Sequence, residues 1–184
     1  MIKNTLLFLL FVMAFSISAT AQTRTQTTLE KGWKFTRDEN PRFADEAFDD
    51  SRWQSVRVPH DWAIYGPFDW RNDLQNTAIT QDGQKQAMEH AGRTGGLPFV
   101  GKGFYRTRFH LPDFSDHKRV TLLFDGAMAH PEIYVNGKKA GEWGYGYNSF
   151  HIDVTDFVRK GDNTLAVSLE NRTEQSRWYP GAGL

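Results

Sequence analysis

The sequence predicts an all-β fold, an antiparallel sandwich or jelly roll. Three observations predict it. The strong apolar segments alternate with period two and are short. Turn signals separate them at intervals of about 8–15 residues. Helical periodicity is sparse, and the chain contains neither an internal repeat nor a coiled-coil heptad.

The elements follow in order. Leu29–Arg37 places Trp33 and Phe35 on one face and Lys34 and Thr36 on the other. Ala44–Trp53 (ADEAFDDSRW) has room for a helical turn or two. Phe104–Leu111 alternates Tyr105, Thr107, Phe109 and Leu111 against Arg106, Arg108 and His110. Arg119–Phe124 (RVTLLF) reads as a buried strand, ended by Asp125-Gly126. Glu132–Val135 runs into Asn136-Gly137, a strong hairpin signal because both central residues of a type I′ turn need positive φ. Phe150–Val154 alternates again, and Asp153–Val158 suggests a short turn that packs Phe157 and Val158 inward. Thr164–Leu169 (TLAVSL) is a strand entered through the turn residues Gly161-Asp162-Asn163. Trp33 and Trp53 read as core residues.

The 184 residues fit one domain plus extras, enough to bury roughly 70% of the unfolded surface. Twenty-two basic and 22 acidic side chains cancel, which argues against a dedicated nucleic-acid binder. Without cysteine there is neither a disulfide framework nor a thiolate metal site. Residues 1–21 have the layout of a secretory signal peptide: a basic start at Lys3, an apolar run from Leu6 to Phe15, and Ala19-Thr20-Ala21 as the cleavage site. The run is too short to span a bilayer, which takes about 20 residues. The mature chain, 22–184, is expected to be exported, soluble and not membrane-bound. Absence of cysteine leans the location toward a bacterial periplasm.

Asn72–Gly96 is polar, rich in Gln and Asn, and long for a connection. It reads either as a solvated excursion or as a loop that shapes a binding site.

The six histidines are scattered with no metal-ligand spacing, and neither a G-x-S-x-G elbow nor a phosphate-binding loop occurs. No cofactor is expected. Glycoside hydrolysis needs two carboxylates at a fixed separation. Asp49, Asp50, Asp61, Asp69, Asp125, Glu132 and Glu142 are available, but the sequence does not pair them. The aromatic-polar clusters say more: Pro59-His60-Asp61-Trp62, Gly144-Tyr145-Gly146-Tyr147 and Ser176–Gly183 (SRWYPGAG). Flat aromatic faces stack on the C–H faces of pyranose rings, while Asp, Asn and Arg bond hydroxyls.

Eight motifs fall in one order: Trp33-Lys34-Phe35, Val58–Trp62 (VPHDW), Gly103–Arg106 (GFYR), Leu123–Gly126 (LFDG), Tyr134–Gly137 (YVNG), Phe150–Thr155 (FHIDVT), Gly161–Val167 (GDNTLAV) and Ser176–Gly183. Across residues 29–184 this resembles the N-terminal sugar-binding domain of glycoside hydrolase family 2, the β-galactosidase and β-glucuronidase family. The resemblance implies a galactose-binding-domain-like jelly-roll sandwich. In the family an immunoglobulin-like sandwich and a TIM barrel follow, and the barrel carries both catalytic glutamates of a retaining mechanism.

This chain holds neither later domain, so no catalytic residue is assigned to it, and alone it is expected to be inactive. The family's motif also runs past Leu184, which implies that 22–184 is incomplete at its C-terminus: a split gene product or a piece of a longer reading frame. The implied substrate-binding residues are Arg177, Trp178 and Tyr179, with Asp61 and Trp62 second. The implied partners are a carbohydrate with a terminal β-linked sugar and the missing downstream domains. Two alternatives stand beside this: a stand-alone carbohydrate-binding protein, and a structural domain that supports a barrel in another chain.

Overall fold

The computed structural model describes residues 24–69, 76–77, 83, 85–86, 88–89, 100–112, 118–172 and 182–184. Residues 1–21, most of the Asn72–Gly96 stretch and Arg177, Trp178 and Tyr179 lie outside the described residues.

The regular secondary structure of the described residues is almost entirely strand. β1 (Trp33–Thr36), β2 (Gln54–Val56), β5 (Gly101–Leu111), β7 (Glu132–Val135), β8 (Lys138–Glu142) and β10 (Gly161–Asn171) form a six-stranded sheet in the order β2-β1-β5-β10-β7-β8. β6 (Thr121–Phe124) and β9 (Phe150–Asp153) form a second sheet of two strands. β3 (Asn76–Thr77) and β4 (Met88–Glu89) pair by themselves. Every pairing is antiparallel.

Alternation decides which side chains meet. Trp33 and Phe35 of β1, Tyr105 of β5, Ile133 and Val135 of β7, and Leu165, Val167 and Leu169 of β10 share the inner face of the large sheet. The small sheet closes over them with Phe150, Ile152, Leu122 and Phe124, making a β-sandwich around one core. Phe124, Phe150 and Trp143 stack in a column, with centroids 4.9 and 5.3 Å apart and planes within 9° and 7°. The outer face carries a smaller cluster of Phe43, Ala44, Phe104 and Ala166, flanked by Trp53 and Tyr134.

The central pair, β5 and β10, stays in register over eleven residues, from Gly161↔Leu111 to Asn171↔Gly101. β10 is therefore longer than Thr164–Leu169, because Gly161-Asp162-Asn163 already pairs with β5. Asn136 (φ 50°) and Gly137 (φ 79°) form the expected turn between β7 and β8. Asn136 does more than turn. Its Nδ2 donates to Phe157 O (2.9 Å) and Asn163 Oδ1 (2.8 Å), and its Oδ1 accepts from the Thr164 amide (2.9 Å). Phe157 N and Val158 N both donate to Val154 O, and both side chains pack on the core as expected.

Two expectations fail. Residues 44–53 form successive turns rather than a helix, closed by Phe48 N to Asp45 O and Trp53 N to Asp50 O. Their conformation is set from outside. Arg106, fully buried in β5, donates to Asp50 Oδ2 (2.9 Å), Asp45 O (3.0 Å) and Phe43 O. RVTLLF is not buried on both sides. Leu122 and Phe124 face the core, but Leu123 is 52% exposed, because no further layer among the described residues covers the two-stranded sheet there.

Candidate functional site

At one edge of the sandwich the chain segment 57–69 meets the segment 182–184, more than a hundred residues away in sequence. The Asp61 carboxylate organises the meeting. Its Oδ1 accepts from the Ala63 amide two residues on (2.9 Å), a local bond that Asp favours at turns, and from the Ala182 amide (3.2 Å). A turn of 3-10 helix, Ala63–Tyr65, follows and ends at Gly66 (φ 76°).

Ala182–Leu184 lies as a strap between two backbones. His60 N donates to Leu184 O (2.6 Å) and Trp62 N to Ala182 O (2.8 Å) on one side. Met128 N donates to Gly183 O and Gly183 N to Met128 O, both 2.9 Å, on the other. A Cβ on Gly183 would sit 1.7 Å from His60 O, so the approach needs glycine.

Behind the strap lies an aromatic cage. His60 Nδ1 is 2.7 Å from the Tyr105 hydroxyl, which also donates to His60 O at 3.3 Å. Phe35 and Tyr65 flank the imidazole at centroid distances of 4.9 and 6.2 Å. Burial holds His60 below its ordinary value despite the opposing pull of Asp61, and burial pushes the Tyr105 hydroxyl upward. In front lies an open groove of about 920 Å³, bordered by Arg57, His60, Asp61, Tyr65, Asp125 and Gly146. Ile64, Tyr65 and Phe68 stand exposed beside it.

Of the residues singled out from sequence, Asp61 is at this edge and serves as a backbone clasp. Trp62 turns the other way. It is 2% exposed and stacks on Phe35 at 5.5 Å. Its ring also crosses Gly103 so closely that a Cβ there would be 2.6 Å away. Trp62 thus presents no open ring face for a sugar. Arg177, Trp178 and Tyr179 are outside the described residues. The described residues that flank them are Arg172, just after β10, and Ala182 in the strap. Sequence reasoning missed His60, Tyr105 and Gly183 as parts of one unit, though all three sit inside motifs it had marked.

Four other carboxylates are engaged structurally. Asp50 holds Arg106, Glu46 pairs with Arg159, and Glu132 and Glu142 both bind Lys139 Nζ at 2.6 Å. Among the described residues, no group of three His, Asp or Glu is placed to hold a metal ion.

The sequence model described as "Glycosyl hydrolases family 2, sugar binding domain" matches residues 27–183. The chain belongs to glycosyl hydrolase family 2. It is 31% identical over 173 residues to a β-galactosidase of Bacteroides ovatus, covering 93% of this chain and 18% of that protein. It is 27% identical over 178 residues to a β-glucuronidase of Bacteroides fragilis, covering 95% and 20%. Among solved structures, a family 2 member from Bacteroides cellulosilyticus superposes with a TM-score of 0.66 at 30% identity, over 85% of this chain and 19% of that one. The β-glucuronidase of Bacteroides uniformis gives 0.65 at 28%, over 88% and 17%. This family 2 sugar-binding domain therefore spans a fifth or less of the length of these relatives.

Proposed function

We propose that this sugar-binding domain is the substrate-side domain of an exported β-glycosidase that removes terminal β-linked sugars from glycans. The relatives named as β-galactosidase and β-glucuronidase support the reaction class, and the leader-like residues 1–21 support export to the periplasm. In this reading residues 22–184 form a jelly roll, and hydrolysis is performed by domains outside it. The observation that carries the reading is the strap. Ala182–Leu184, clasped by Asp61, ties the segment after Arg177-Trp178-Tyr179 to the groove edge formed by His60 and Asp61.

Such an edge would supply part of a sugar subsite, with the barrel supplying the remainder. The purified chain is expected to leave nitrophenyl β-galactoside and β-glucuronide uncleaved, and its 60–62 and 182–184 amides to be unmoved by either free monosaccharide. Turnover lost on replacing a single carboxylate of the chain would overturn the reading. Saturable monosaccharide binding at that edge would favour a stand-alone lectin instead.

A further inference from the structure

A second groove, of about 540 Å³, opens on the outer face of the large sheet. We propose that it binds neutral pyranose sugars independently of the edge subsite.

Strand register builds its floor. Phe104 lies opposite Ser168, Ser168 opposite Glu132, and Glu132 opposite Glu142. Directly opposed residues of antiparallel strands point to the same face, so these four side chains form one row across β5, β10, β7 and β8. Lys102 and Glu170, also opposed, begin the next row. One wall is the turn from Glu39 to Phe43, and the other is Trp143. Trp143 stands with one ring face stacked on Phe150, while 37% of the residue stays open. Its indole Nε1 is fixed by Asn148 Oδ1 at 3.0 Å, which orients the ring before any ligand arrives.

The chemistry selects a neutral, hydroxyl-rich ligand. The lining carries the carboxylates Glu39, Glu132, Glu142 and Glu170, and its cations are already matched. Lys102 binds Glu39 at 2.8 Å, and Arg172 binds Glu170 at 2.5 Å. Lys139, beside the floor, bridges Glu132 and Glu142. A uronate would bring a further negative charge to an acidic surface on which, among the described residues, Lys102, Lys139 and Arg172 are already paired. A hydroxyl can donate to a carboxylate and accept from an ammonium or guanidinium, and the C–H face of the ring can lie on indole. The volume is within the range of small-ligand sites. All of these groups belong to this chain, so binding here requires no other domain.

The test is a two-dimensional NMR titration of the chain with galactose, lactose and cellobiose, with glucuronate as the charged comparison. Saturable shifts at the Trp143 indole and at the Ser168 and Glu170 amides are expected with at least one neutral sugar, and at least tenfold weaker ones with glucuronate. Trp143→Ala should abolish the response. Trp143→Phe, which keeps the stack on Phe150, should weaken it and so separate lost binding from lost folding. No shift at the groove up to tens of millimolar sugar would overturn the proposal. So would a stronger response to glucuronate, or shifts confined to 60–62 and 182–184. The last outcome would instead locate binding at the edge and leave the family-level reading intact.

Discussion

Gly183→Ala tests whether the strap is a real structural unit. An alanine Cβ would sit 1.7 Å from His60 O and 3.1 Å from the Asp61 Cα, both backbone. Backbone cannot rotate away as a flexible side chain can, so the strap must lift. Lifting it breaks the four backbone bonds to His60, Trp62 and Met128, and the bond from Ala182 to Asp61. At about 1 kcal/mol net for each bond, that is about 3–5 kcal/mol of local stability. Each 1.36 kcal/mol is tenfold, so protection of the Trp62 and Met128 amides against hydrogen exchange should fall by about 100- to 5,000-fold. Ala182 and Leu184 touch the core, but its strands are held by their own ladder bonds, so amides of Tyr105 and Val167 should lose far less. Exchange measured residue by residue decides the matter. If Trp62 and Met128 stay protected in the variant, the close approach is not what holds the edge together.

Three further outcomes are expected. Asn163→Ala removes a buried side chain whose Oδ1 accepts from Arg159 N and Asn136 Nδ2 and whose Nδ2 donates to Arg159 O and Gly161 O. A loss of about 3–4 kcal/mol, or about 10 °C in melting temperature, should appear by calorimetry. Gly103→Ala drives a methyl into the Trp62 ring and should cost about 1–3 kcal/mol by denaturant titration, with a change in tryptophan fluorescence. His60 takes up its proton at lower pH folded than unfolded, so protonation favours the unfolded chain. Stability should be full above about pH 6.5 and decline as pH falls toward about 5, before the lowered carboxylates Glu132 and Asp153 begin to matter. His60→Gln should flatten that part of the profile, and a profile already flat in the parent chain would refute the role.

Residues that sort themselves by local rules were readable from the sequence. β5 alternates because one face is core and the other lies under the 40–53 turns, and Asn136-Gly137 demands its turn whatever surrounds it. β2 was not readable, since two exposed residues and a half-buried Val56 at the sheet edge carry no apolar period and, among the described residues, pair only with β1. The turns at 44–53 follow from Arg106, more than fifty residues away, whose buried guanidinium needs Asp50 and the carbonyls of Phe43 and Asp45. Charge satisfaction there outweighed local helix preference. The aromatic-polar motifs pointed to the edge. They could not say that Trp62 turns inward, because that depends on Gly103 leaving space in another strand. The outer groove was invisible for a similar reason, as its floor exists only through the register of four strands.

The edge and the outer groove share one piece of chain. Met128 bonds the strap, while the following residues line the groove: Glu170 N donates to Ala129 O at 2.8 Å, and His130 and Pro131 form part of its border. Loosening the strap should therefore reach the groove, because Ala129 directly follows Met128. In Gly183→Ala the Glu170 amide should lose protection, by less than Met128 does, since Glu170 is also held by its pairing with Lys102 in β5. Sugar titration of the same variant should then show weaker shifts at Ser168 and Glu170, with the Trp143 indole still responding. If Glu170 exchange is unchanged while Met128 exchange rises, the 128–131 segment is two independent anchors. Occupancy of one site could then pass nothing to the other.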